Sequence, residues 1–185
     1  MKKRSIYITG VIFSFSLAIF AQNSKYLKIA KNGTGNILFS SSQINRDEES
    51  KVTFRTSFSD VDAIYARAYF PAKFPNLEGE AKGFIDLWID GKHQKRLEFT
   101  NNDVAAGNEQ MQVYVHKTNP EADFSDEIWD NLSSGEHKIK VVIGRTEFMK
   151  AAATIQEQGN DLVVKEDDVY KPVYISEGTF TYTKN

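Results

Sequence analysis

Apolar and polar residues alternate with a period of two through most of this chain. Alternation of that kind sends successive side chains to opposite faces of a β-strand. It predicts strands over Asn36–Phe39, Lys51–Phe58, Ala63–Phe70, Gly83–Asp90, His93–Phe99, Gln110–Lys117 and His137–Ile143, all rich in β-branched and aromatic residues, with a last strand at Ile175–Thr183. Turn residues punctuate the runs. The stretch NGTGN precedes the first strand, and Asp90-Gly91 sits between two others. An Asp-Gly pair supplies the two positive-φ residues of a tight hairpin turn, so Gly83–Phe99 is expected to be a β-hairpin.

One segment follows the helical period instead. Phe124, Ile128, Trp129 and Leu132 fall on one side of a helix at 3.6-residue spacing. Ser125 stands where a cap is wanted, Asp126 and Glu127 suit the positive end of the helix dipole, and Gly135 lies just beyond the helix. A second helix is expected over Thr146–Gln158, ahead of Gly159, on the strength of Ala151–Ala153 with Phe148 and Ile155. About eight short strands with one connecting helix, or two, make a mainly β protein whose expected architecture is a single antiparallel β-sandwich. It lacks the cysteine and buried-tryptophan signature of true immunoglobulin domains.

The first 21 residues break the pattern. Lys2, Lys3 and Arg4 precede an apolar run from Ile6 to Ala21 that is interrupted by Thr9, Gly10, Ser14 and Ser16. The run reads as a cleaved secretory leader rather than a membrane anchor, with the cut after Ala21. Residues 22–185 then form one secreted domain of 164 residues, long enough to bury a real core. No later stretch approaches a membrane span. Export places the protein in the periplasm, at the cell surface or outside the cell. The chain has no cysteine, so it cannot carry the lipid that envelope proteins receive on that residue, and it has no disulfides.

Hydrophobic residues make up 41% of the chain and charged residues 26%, the proportions of an ordinary globular protein. Loss of the leader cations takes the formal net charge from −2 to −5. Such a domain lacks the basic footprint of a nucleic-acid binder. The acidic clusters at Asp47–Glu49 and Glu166–Asp168 read as solvated loops.

Candidate chemistry is sparse. There is no cysteine nucleophile, no G-x-S-x-G elbow, no H-E-x-x-H helix and no P-loop. His93, His116 and His137 have no ligand spacing and are read as surface histidines, so no metal or other cofactor is expected. Asp60, Asp62, Asp86 and Asp90 are read as turn and structural carboxylates, and no catalytic residue is assigned. What stands out is parity. Along Ala63–Phe70, Ile64, Ala66, Ala68 and Phe70 share one face, whereas Tyr65, Arg67 and Tyr69 share the other. The same alternation separates Ile85, Leu87 and Ile89 from Asp86, Trp88 and Asp90, and Met111, Val113 and Val115 from Gln112, Tyr114 and His116. If those strands share a sheet, its outer face carries rings beside polar groups, as glycan and peptide recognition requires. Tyr65, Arg67, Tyr69, Trp88 and Tyr114 are the candidate ligand-binding residues. The expected function is a secreted, non-enzymatic recognition module with a glycan or protein partner. The alternative is a structural or accessory subunit of a cell-envelope assembly.

Overall fold

The computed structural model describes residues 25–77, 79, 81–100, 107–116, 118, 122–158 and 161–185, and only the backbone over 150–158 and 161–168. Residues 1–21, read from the sequence as a leader, lie outside the described residues. Among the described residues eight strands occur: β1 (Gly35–Ser40), β2 (Ser57–Ser59), β3 (Tyr65–Tyr69), β4 (Gly83–Ile89), β5 (Lys92–Phe99), β6 (Gln110–Tyr114), β7 (Gly135–Gln158) and β8 (Asp161–Lys184). One helix, α1 (Asp126–Asp130), precedes β7.

The strands form one mixed sheet in the order β5-β4-β7-β8-β1-β3-β6, strongly curled into a half-barrel, rather than two separately hydrogen-bonded sheets. Parallel pairing enters at β8, which takes β1 beside Ser176–Glu177 and β2 beside Thr181–Thr183. Those two short strands share one lane. Between them the chain leaves the sheet, runs across its outer face, and returns.

That excursion corrects the expected Lys51–Phe58 strand. Only Ser57–Ser59 joins the sheet, while Glu49–Lys51 form a 3-10 turn. The alternating rings there serve packing rather than a ladder: Phe54 stacks on Tyr26 and the Arg55 guanidinium covers Phe58. A second correction concerns Thr146–Gln158, which is strand and not helix. Helix propensity separates alanine from β-branched residues by less than about 1 kcal/mol per residue, so cross-strand pairing can override it. Here the β7–β8 ladder runs from Gly135↔Lys184 to Gln158↔Asp161.

The expected hairpin is present. Asp90 and Gly91 have φ of 50° and 78°, the positive pair its turn needs, and Ile89 faces Lys92 across it. The concave face holds the core, in which Ile64, Ala66, Ala68, Ile85, Leu87, Ile89, Val113, Val115, Ile139, Val141 and Ile143 are all buried. Parity thus holds for the inward residues of every strand used to argue it, apart from partly buried Met111. Helix α1 plugs one end with Phe124 and Trp129, assisted by Ile128 and Leu132. It stops at Asn131, whose N–H donates to Glu127, and Gly135 opens β7 instead of closing the helix. Phe70, Phe74 and Phe99 stack at the other end. No helix among the described residues is long and apolar enough to cross a membrane.

Candidate functional site

The sheet brings four of the five candidate residues together. Tyr65 pairs with Tyr114 and Arg67 with Gln112 across β3 and β6, and the two tyrosine rings meet edge to face at 6.0 Å. Trp88 is elsewhere. It lies on β4, four strand spacings from β3, roughly 19 Å along the sheet at about 4.8 Å per step. Tyr69 is on the expected face but is buried, against the expectation of exposure. Its ring contacts Tyr26 and its hydroxyl donates to Glu49 across 3.4 Å. Burial, assisted by the Glu49 charge, raises the Tyr69 pKa well above its ordinary value. Arg67 is held within the chain: it donates to the Ile44 carbonyl at 2.6 Å, to Gln112 at 2.8 Å and to Gln110 at 3.3 Å. The 41–56 excursion roofs this part of the face, with Ile44 fully buried beneath it.

Trp88 belongs to a second polar patch. Asp86 beside it is 0% exposed, and its carboxylate accepts two hydrogen bonds from Arg96, at 2.8 and 2.7 Å, with His93 Nε2 at 3.1 Å. Burial raises the Asp86 pKa, but the hydrogen bonds and charges of Arg96 and His93 more than reverse this and leave it lowered. The Arg96 guanidinium also lies 3.9 Å over the Phe84 ring. The patch is built on an ion pair, and beside it the Trp88 Nε1 is buried with no hydrogen-bond partner among the described residues.

Two of the three histidines are not surface residues. His116 is buried between Trp129 and Tyr182, 4.8 and 5.2 Å from their rings, with Nε2 3.1 Å from the Tyr182 hydroxyl. Alternation misplaced it because β6 ends at Tyr114, and the chain then turns inward over the end of the half-barrel. Burial pushes Tyr182 up to about 12. His137 is held by Asp90 at 2.8 Å and the Ser133 carbonyl at 2.8 Å, and these bonds raise its pKa. The same contact lowers Asp90, helped by the Lys138 N–H. Asp62 is likewise committed, to Ser59 and Arg55, and Asp60 to Asn185. Among the described residues no group of three or more His, Asp or Glu side chains could hold a metal ion.

Among the described residues a cleft opens at the seam of the half-barrel. The terminal strands of the sheet, β5 and β6, face one another across a cleft of about 350 Å³ lined by Ile85, Leu97, Phe99 and Met111, with Glu98, Gln112, Tyr114 and Asp123 at its rim. Two candidate features converge here, because Tyr114 and its neighbour Gln112 belong both to this rim and to the Tyr65–Arg67 patch. Asp123 accepts from the Tyr114 N–H at 2.7 Å and donates its own N–H to the Tyr114 carbonyl at 2.8 Å. Although part of Asp123 reaches solvent, the protein crowded around its carboxylate raises its pKa, and the Tyr114 N–H does not offset this.

Leu97, Glu98, Met111 and Asp123 were not singled out from sequence. Their signal is weak: Leu97 is the one apolar residue in a polar run, and Met111 is the start of an ordinary core alternation. Only the closing of the sheet's two ends toward each other makes them neighbours. Comparison with protein-family models, curated proteins and solved structures found no match.

Proposed function

We propose that this chain is a secreted, non-enzymatic recognition module of the bacterial envelope or extracellular space, which takes carbohydrate or peptide in the seam cleft. One observation carries the reading: a cleft of mixed polar and apolar lining, with Ile85, Leu97, Phe99 and Met111 beside Tyr114, Gln112, Glu98 and Asp123, opens between two edge strands. Concave apolar sites with a few convergent polar groups are where ligands bind. The non-enzymatic part rests on Asp62, Asp86, Asp90, His116 and His137, all engaged in hydrogen bonds that hold the fold. In this reading the β5-β4-β7 and β1-β3-β6 flanks act as the facing halves of a sandwich, since their inward residues share one core. Export rests on the leader pattern, and N-terminal sequencing of the exported protein should find Gln22 first.

The test is a glycan array and a peptide array probed with the exported protein and its Tyr114→Ala and Leu97→Lys variants. The reading expects retention of a ligand by the wild type and loss in both variants, with melting curves showing each still folded. Ligand retained equally by folded variants would move the site elsewhere.

A second reading, a structural or accessory subunit of an envelope assembly, is favoured by the β7–β8 ribbon. Beyond Thr146 and Val173 these strands pair only with each other, over roughly 40 Å at about 3.3 Å per residue. Phe148 and Met149 are more than half exposed there. An isolated two-stranded ribbon is marginally stable in water, and exposed apolar side chains invite a protein contact. Sedimentation of the wild type beside a variant with 148–171 replaced by Asn-Gly separates the two readings. A monomer in both cases supports recognition; an assembly that the shortened protein loses supports the subunit.

A further inference from the structure

We infer that the seam cleft takes an extended peptide segment of a partner protein as an added β-strand, a short apolar alternation flanked by basic residues. This narrows the recognition reading above to one ligand class and rests on it.

The backbone register supplies the first argument. The Val115 N–H donates to the Ile64 carbonyl and the Phe70 N–H to the Glu109 carbonyl. Odd-numbered residues of β6 therefore bond to β3, and alternation turns the N–H and C=O groups of Gln110, Gln112 and Tyr114 toward the seam. Asp123 takes those of Tyr114. On the opposite side, the Asp90 N–H donates to the Lys138 carbonyl and the Thr146 N–H to the Lys82 carbonyl. Even-numbered residues of β4 therefore serve β7 and odd ones serve β5. By the same alternation, the backbone groups of Arg96 and Glu98 turn toward the seam. Two rows of outward-facing donors and acceptors thus border one cleft. A sugar can occupy an apolar pocket, but a polypeptide strand presents alternating donors and acceptors on both of its edges at once.

Shape and charge supply the rest. The cleft is short. One end is bounded by the Asp123–Tyr114 pair and the other by Phe74, whose backbone bonds Gly107 and Asn108. Between them β6 offers five residues, about 13 Å, so the inserted segment pairs over about four residues. Ile85, Leu97, Phe99 and Met111 form an apolar floor for every second side chain of that segment. Glu98 and Asp123 stand on the rim and Glu109 precedes β6, whereas the two guanidiniums beside it bond within the chain, Arg67 to Ile44, Gln110 and Gln112 and Arg96 to Asp86. An acidic rim over an apolar floor selects lysine or arginine flanking aliphatic residues.

The experiment selects from a random dodecapeptide library displayed on phage, using the full exported protein, with the glycan array run in parallel. Enriched sequences should show a β-branched alternation with flanking Lys or Arg, and one synthetic peptide should bind per chain. N-methylation of any amide within its central four residues should weaken binding about tenfold or more, because each removes a strand hydrogen bond, whereas methylation outside them should not. Leu97→Lys, checked for an unchanged melting curve, should also abolish capture. Central N-methylated peptides that bind as well as the parent would overturn strand addition. So would retention of an oligosaccharide with no peptide enriched, in which case the broader recognition reading stands. If neither array nor library yields a ligand, both fall.

Discussion

The patches around Arg67 and Arg96 start from the same sequence chemistry and end as different structures. Each sets an arginine and an aromatic residue on the outward face of the sheet. Around Arg67 the acceptors are neutral, a carbonyl and two glutamine side chains, and the 41–56 excursion covers the face. Around Arg96 the acceptor is the buried carboxylate of Asp86, and the arginine itself stays about a third exposed. The lesson is that an outward ring beside an arginine does not make a free surface. Both arginines bond to acceptors within this chain, and a cleft lies between the two flanks.

The sharpest way to separate the patches is to delete each arginine. Arg96→Ala strands a fully buried carboxylate and should destabilise the fold by roughly 3–5 kcal/mol in a denaturant titration, most of it recovered when Asp86→Ala is added. Arg67→Ala leaves only neutral acceptors behind and should cost about 1–3 kcal/mol. Equal losses would erase the distinction between them. Gly91→Val tests the turn that aligns the Arg96 side alone. Its φ of 78° strains any β-branched residue, and the expected loss is about 1–2 kcal/mol although an added Cβ meets nothing within 4 Å.

The smallest effect is in pH. Asp86 has a lowered pKa, so its contribution to stability is present above the carboxylate's unfolded value, about 3.9, and is lost as pH falls through the lower folded value. Hydrogen exchange below pH 4 should therefore show β4–β5 amides opening before those of β3–β6, and the order should vanish in Asp86→Asn. His137 works in the opposite sense. Its raised pKa stabilises fully below about 6.5 and is lost as pH rises through the folded value, so the β4–β5 turn, where Asp90 holds it, should loosen before β3–β6 as pH rises past neutrality.

Much of this was legible in the residues. Asp90-Gly91 specified its hairpin because two positive-φ positions suit few other pairs, and Phe124 with Trp129 specified the buried side of α1 because 3.6-residue spacing has one apolar answer. Inward parity held for β3 and β4 for the same local reason. What could not be read is which strands become neighbours. Trp88 was grouped with Tyr65 because parity states a face and not a lane. The seam cleft escaped notice because its floor joins Leu97 to Met111 only through the curvature of the whole sheet. Tyr69 and His116 were misplaced by segments far away in sequence, the Tyr26 and Glu49 region for one and Trp129 and Tyr182 for the other.

The middle of the sheet is made last. β8 joins β7 on one side and β1 and β2 on the other, so the N-terminal strands reach their lane only after the ribosome has finished residues 176–183. Until then β1, β3 and β6 form one three-stranded antiparallel unit and β5, β4 and β7 another, with no ladder between them. Closing loops of well over a hundred residues between β1 and β8 delays the pay-off of those contacts and makes for slow folding. The two units share one ladder only when β8 docks between them.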